Sequence, residues 1–250
     1  MNNIEYSNDS PARLLACDHA LLEEREECGV ETDENQSVLM FWESPTPFVV
    51  LGYTEHAARE VNLEECARLQ IPVLRRISGG GTVVQGVGCL NYSLILPIDD
   101  VTSNLQQTNS FVMNRQRDAL QTLLPVGSST RIHVRGATDL AIVDSQSEKK
   151  FSGNAQRRKK NWLLFHGTIL LDFDLSLIAK ILNFPSRQPD YRASRNHLDF
   201  VCNFPASRED VKNALREAWN AHRVLDAVPH ARIETLAREF YARDEWNFRL

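Results

Sequence analysis

The chain has 250 residues, 42% hydrophobic and 24% charged, a composition that supports a well-buried core and predicts one large domain. A formal net charge of -5 excludes non-specific nucleic-acid binding over the whole surface and leaves room only for a local basic patch. No apolar run approaches a membrane span, and the polar, acidic start, residues 1–9, has neither the apolar core of a secretion signal nor the arginines of a transit peptide, which predicts a cytoplasmic protein.

In chain order, Ser10-Pro11 offers an N-cap and a proline at the first helical position, and Leu14, Leu15, Leu21 and Leu22 recur at helical spacing. This helix is predicted to end near Gly29, and the acidic link to Gln36 reads as a surface loop. Residues 38–42 and 48–53 read as strands paired across Ser44-Pro45-Thr46-Pro47. Asn62 caps a short helix over 63–69, and Pro72-Val73-Leu74 enters as a strand. That strand leads into Arg75-Arg76-Ile77-Ser78-Gly79-Gly80-Gly81-Thr82-Val83-Val84. Three glycines remove every Cβ from a bend, so an anion can approach the backbone N–H groups, and the arginines stand where a phosphate needs positive charge. The spacing fits neither a Walker loop nor a dinucleotide fingerprint, and the triplet alone reads equally as a wide hairpin turn. Residues 82–84 and 90–96 are β-branched, aromatic and apolar, so the glycine loop is predicted to lie between two strands.

The longest helical candidate is 103–124, before Pro125, and 131–134 and 139–143 return to strand character. A basic run then follows, residues 148–160, which contains a small Ser152-Gly153-Asn154 turn; such a run is ordinarily a solvated loop. Residues 162–172 read as a buried strand interrupted at His166-Gly167, where a glycine marks the close approach of a ligand or another backbone. A short helix is predicted over 175–182, a polar loop over 186–200, a helix over 208–222 capped by Ser207, and a last helix over 231–243. Cys17, Cys28, Cys66, Cys89 and Cys202 are odd in number, with no C-x-x-C pair, and read as free thiols. The seven histidines lack zinc-like spacing.

Three segments gain meaning together. The Arg75-Arg76-Ile77-Ser78-Gly79-Gly80-Gly81 loop, Asp139-Leu140 with Lys150-Phe151-Ser152-Gly153-Asn154-Ala155, and His166-Gly167-Thr168 resemble, in order and separation, the lipoate-protein ligase family. The resemblance runs from about residue 14 to 246. It implies a mixed-sheet α/β fold (α+β type), with mixed sheets flanked by helices, shared with biotin ligases and octanoyl transferases. It also implies a single catalytic domain over 1–250, with its core over about 30–225.

The implied reaction has two halves: a lipoate or octanoate carboxylate attacks the α-phosphate of ATP, and a lysine of a lipoyl-domain acceptor then takes the acyl group. The implied acceptors are 2-oxoacid dehydrogenase subunits, the glycine cleavage H protein or a related carrier, with no nucleic acid and no membrane. Negative charge accumulates in both halves, and fixed cations and N–H donors stabilise it. Lys150 matches the family lysine that holds the acyl carbonyl and the adenylate phosphate. The resemblance assigns Arg76, Ser78, Gly79, Gly80, Gly81, Thr82, Val83, Val84, Asp139, Ser152, Gly153 and Ala155 to the nucleotide or acyl-adenylate, with Asp139 placing Mg²⁺ or the lysine. Trp42, Tyr92, His166, Gly167 and Thr168 are assigned to the acyl pocket.

Departures from the family pattern are also legible. Gln85-Gly86 and Gly88-Cys89 replace the usual His-Asp and Gly-Asn, and Thr138 stands where asparagine is common. The family's C-terminal accessory domain is not expected, which leaves open self-sufficient ligation, adenylation aided by a separate accessory protein, or transfer of a preformed acyl group. A cysteine-thioester octanoyl or lipoyl transferase needs a nucleophilic thiolate, and neither Cys89 nor Cys202 matches its pattern, so both read as structural thiols. A non-catalytic lipoyl-adenylate or lipoyl-domain binding protein is the third alternative.

Overall fold

The computed structural model describes residues 1–29 and 36–250, so most of the acidic link expected before Gln36 lies outside the described residues. The strands are β1 (Asn2–Glu5), β2 (Val38–Trp42), β3 (Phe48–Leu51), β4 (Val73–Arg75), β5 (Val83–Gln85), β6 (Cys89–Pro97), β7 (Arg131–Arg135), β8 (Asp139–Val143), β9 (Glu148–Arg158), β10 (Trp162–Leu170) and β11 (Arg223–Val224). The helices are α1 (Pro11–Glu27), α2 (Ala57–Glu60), α3 (Leu63–Arg68), α4 (Leu105–Gln121), α5 (Leu175–Ile181), α6 (His197–Phe200), α7 (Arg208–Ala218), α8 (His230–Leu236) and α9 (Asp244–Asn247). None of them is long and apolar enough to cross a membrane.

Eight strands form a mixed sheet in the order β11-β1-β2-β6-β10-β9-β8-β7, and three form a second sheet, β4-β3-β5. The alternation of side chains along β2 sorts two cores onto the two faces of the large sheet. Val38, Met40 and Trp42 pack with α1 and with Ile233 and Tyr241. Leu39 and Phe41 pack on the other face with Val112 and Met113 of α4 and Val211 and Leu215 of α7. A third core joins Val49, Leu51 and Val84 of the small sheet to Ile178 and Ile181 of α5. Leu14 and Tyr241 both belong to the first core, so residues far apart in sequence pack on this face of the large sheet.

Several elements differ from expectation. β2 and β3 do not pair: β1 and β6 occupy both edges of β2, so β3 founds the second sheet. The basic run is a continuous strand, β9, rather than a turn, because β8 and β10 claim its backbone on both sides. β10 runs through His166-Gly167 without interruption. α1 and α4 start as the proline and Asn104 dictate, the latter accepting from the Gln107 N–H, while Ser10 makes no side-chain cap. α7 stops at Ala218, and the last predicted helix divides into α8 and a π-turn over Ala237–Tyr241.

Candidate active site

The antiparallel register of β6, β10 and β9 places the separate motifs side by side. Ser93, His166 and Ala155 form one row, Tyr92, Gly167 and Asn154 the next, and Asn91, Thr168 and Gly153 a third. β4 and β5, which flank the glycine loop in sequence, both pair with β3, so the loop leaves the small sheet as expected, between two strands. Between the loop and these rows lies a cavity of about 360 Å³. All the expected site residues line it except Ser78 and Gly79, and Leu15, Trp42, Val50 and Val83 supply apolar wall.

Lys150 reaches this cavity from β9, beside an irregularity in the β8–β9 ladder between Leu140 and Ala141. Its Nζ lies 2.7 Å from Asp139 Oδ1, and the Tyr191 hydroxyl donates to Asp139 Oδ2 at 2.8 Å. Burial, and then the Asp139 charge, push the Tyr191 hydroxyl far above its ordinary range, so it remains a donor. A Cβ on Gly153 would stand 2.8 Å from Lys150 Nζ, so a side chain there would push the amine out of its present position. Asp139 therefore orients the lysine with one oxygen and is held by tyrosine through the other. Of the two roles expected for Asp139, placing Mg²⁺ or the lysine, its geometry displays the second. Among the described residues no group of three or more His, Cys, Asp or Glu is arranged to hold a metal ion.

The two arginines before the glycine loop do different things. Arg75 is fully buried and donates to the carbonyls of Gly52, Glu55 and Asn247 at 2.8, 2.7 and 3.0 Å, so it does not face a phosphate. Arg76 donates from Nη2 to Gly79 O at 2.6 Å and Gly81 O at 2.9 Å and from Nε to Ser78 Oγ at 3.0 Å. It shapes the glycine loop by drawing two carbonyls inward. Burial pushes its pKa down to about 10, leaving it a cation near neutrality.

His166 is fixed at both ring nitrogens: Nδ1 lies 2.6 Å from Asp18 Oδ2 and Nε2 lies 2.6 Å from Ser78 Oγ. Thr168 donates to Asn91 Oδ1 at 2.6 Å, Asn91 to Gln85 Oε1 at 2.8 Å, and Gln85 to Thr168 Oγ1 at 2.7 Å, closing a ring of neutral polar groups. Gln85, one of the family departures, is thus satisfied within the site. In the neighbouring row, Tyr92 donates to Asn154 Oδ1 at 2.5 Å, while Asn154 Nδ2 donates to Thr138 O at 2.7 Å. A Cβ on Gly167 would fall 1.6 Å from that Asn154 oxygen, so the glycine at the centre of His166-Gly167-Thr168 makes room for an asparagine side chain.

Cys89 is fully buried, and burial pushes its thiol far above the ordinary range; Cys202 is pushed up to about 11 for the same reason. Neither is an activated nucleophile. Sequence reading missed Asp18 and Tyr191. A charged residue among the leucines of α1 is a signal for Asp18, whereas nothing local in the 186–200 segment distinguishes Tyr191.

Residues 10–227 match the lipoyl protein ligase A/B catalytic domain. Over 230 residues the chain is 30% identical to the "Probable lipoate-protein ligase A" of Mycoplasma genitalium, covering 86% of this chain and 64% of that protein, so it spans somewhat less than two thirds of that relative. Over 275 residues it is 24% identical to octanoyltransferase LipM of Halalkalibacterium halodurans, covering 98% of both. Among solved structures, one from a study of the bi-partite lipoate protein ligase of Thermoplasma acidophilum and its E2 lipoyl domain superposes with a TM-score of 0.79 at 24% identity, covering 99% of this chain and 95% of that one. That last likeness is one of fold.

Proposed function

The chain belongs to the lipoyl protein ligase A/B catalytic-domain family, and from that premise we propose that it activates lipoate or octanoate with ATP and transfers the acyl group to a lysine of a lipoyl-domain acceptor. The observation that carries this reading is the Lys150 amine, oriented by Asp139 into a cavity that has an apolar wall and a glycine loop. In the first step a carboxylate oxygen bonds to the α-phosphorus while the bond to the β-phosphate bridging oxygen breaks, releasing pyrophosphate. In the second, the acceptor amine bonds to the acyl carbon, the bond to AMP breaks and the amine gives up a proton. Lys150 neutralises the negative charge that develops near the phosphate and the carbonyl oxygen. Arg76 holds the glycine loop so that its backbone lies along the nucleotide, and Leu15, Trp42, Val50 and Val83 take the acyl chain.

The likeness to an octanoyltransferase supports octanoate as an acyl group but does not supply a thiol mechanism, since Cys89 and Cys202 are held protonated. The Thermoplasma ligase described as bi-partite supports a separate accessory protein as a partner.

The test is lipoate- and octanoate-dependent ATP-pyrophosphate exchange, followed by acylation of a lipoyl domain. Exchange together with transfer is the expected result. Transfer from synthetic lipoyl-adenylate without exchange assigns adenylation to an accessory partner. Neither activity, with an acyl-carrier thioester labelling a cysteine, overturns the ligase reading.

A further inference from the structure

Asp18 lies in the middle of α1, outside the glycine loop, the lysine strand and the His166-Gly167-Thr168 segment, yet it is almost fully buried beneath the site. Its Oδ1 accepts from Ser93 Oγ at 2.5 Å and its Oδ2 lies 2.6 Å from His166 Nδ1. On the far side of the ring, His166 Nε2 lies 2.6 Å from Ser78 Oγ, which accepts from Arg76 Nε at 3.0 Å.

One arrangement of protons pairs every group in this chain. A carboxylate accepts only, so Nδ1 carries a proton and gives it to Asp18. Arg76 donates only, so within this chain of groups the Ser78 hydroxyl proton is paired when it goes to His166 Nε2. In that arrangement the ring is the Nδ1–H tautomer, accepting at Nε2. We propose that Asp18 is a positioning residue for the glycine loop: it sets the tautomer of His166, which receives Ser78, which in turn orients Arg76 against the Gly79 and Gly81 carbonyls.

Neither ring nitrogen is left for a substrate, so His166 acts here as a spacer between Asp18 and the loop, not as an acid or base. The structural part of this inference stands on the hydrogen bonds alone, and its kinetic part rests on the ligase reading.

The test compares wild type with Asp18→Ala, Asp18→Asn and Ser78→Ala, using imidazole ¹⁵N resonances of His166 and ATP-pyrophosphate exchange at neutral pH. Wild type is expected to show Nδ1 protonated and Nε2 bare. Asp18→Ala shifts the proton to Nε2 and raises the KM for ATP about tenfold, with a smaller change in kcat, the size expected when a hydrogen bond to a charged group is lost. Asp18→Asn keeps a carbonyl acceptor for Nδ1 and restores both the tautomer and most of the KM. A protonated Nε2 in wild type overturns the inference, as does an Asp18→Ala protein with an unchanged tautomer. If Asp18→Ala does not fold, Ser78→Ala decides: the Nδ1–H form is retained if Asp18 sets it and lost if Ser78 does. An absent exchange activity with the tautomers as stated removes the ligase reading and leaves the positioning chain in place.

Discussion

The backbone N–H of Arg75 donates to the side-chain oxygen of Asn247 at 2.9 Å, and the Arg75 guanidinium returns a bond to the Asn247 carbonyl at 3.0 Å, across 172 positions of sequence. Trp246 Nε1 adds a bond to the Arg75 carbonyl at 2.8 Å, so α9 is fastened directly to the strand that delivers the glycine loop. Arg75→Ala would leave several buried carbonyls unpaired. The expected cost is about 3 to 5 kcal/mol of stability, read from urea unfolding followed by tryptophan fluorescence. A loss under 1 kcal/mol would show that α9 docks without the arginine.

Lys150 is the test of chemistry. Lys150→Ala is expected to reduce lipoate-dependent ATP-pyrophosphate exchange by about 100- to 1000-fold with little change in unfolding midpoint, the scale of losing one preorganised charge at a developing oxyanion. Tyr191→Phe keeps the lysine and removes only the donor to Asp139, so a loss of about tenfold or less is expected. Equal losses in both variants would mean that Tyr191 touches the reaction itself.

Gly167 tests the packing. Replacing it with alanine drives a methyl group into the place of Asn154 Oδ1 and displaces the bond from Tyr92. The expected destabilisation is about 1 to 3 kcal/mol, measured by thermal unfolding. Asn154→Ala in the same background removes the clash and recovers part of it; a purely additive double variant would place the strain elsewhere.

The thiols give a pH signature. Exposed Cys28 is expected to react promptly with a disulfide reagent near pH 7.5, and Cys89 only on unfolding. Cys202 ionises near 11 when folded, above its ordinary 9.0. The folded state thus holds that proton more tightly than the unfolded chain, so its contribution to stability is complete below pH 9 and is lost as the pH rises toward 11. A buried thiol that titrates near neutrality would revive a thioester mechanism.

The three motifs were legible in sequence because each is a local chemical requirement. Gly80 and Gly81 remove side chains from the loop, Lys150 brings a cation, and Gly167 leaves a gap in an apolar strand. Order and spacing then sufficed for the fold family. Charge misled where backbone pairing prevailed, as in β9, where β8 and β10 take the backbone hydrogen bonds and the cations find partners of their own, Lys150 at Asp139 and Arg158 at Thr102 and Thr108. Equivalence misled at the arginine pair, since adjacent residues in an extended chain point to opposite faces: Arg75 turns to α9 and Arg76 to the loop. Asp18 and Tyr191 lie 148 and 52 positions from the groups they hold, His166 and Asp139. No periodicity encodes such pairings. The sequence by itself determined which chemical groups the site has, because that is written in residue type; only the tertiary structure decided which of them hold one another, because hydrogen bonds act over about 3 Å of space whatever the distance along the chain.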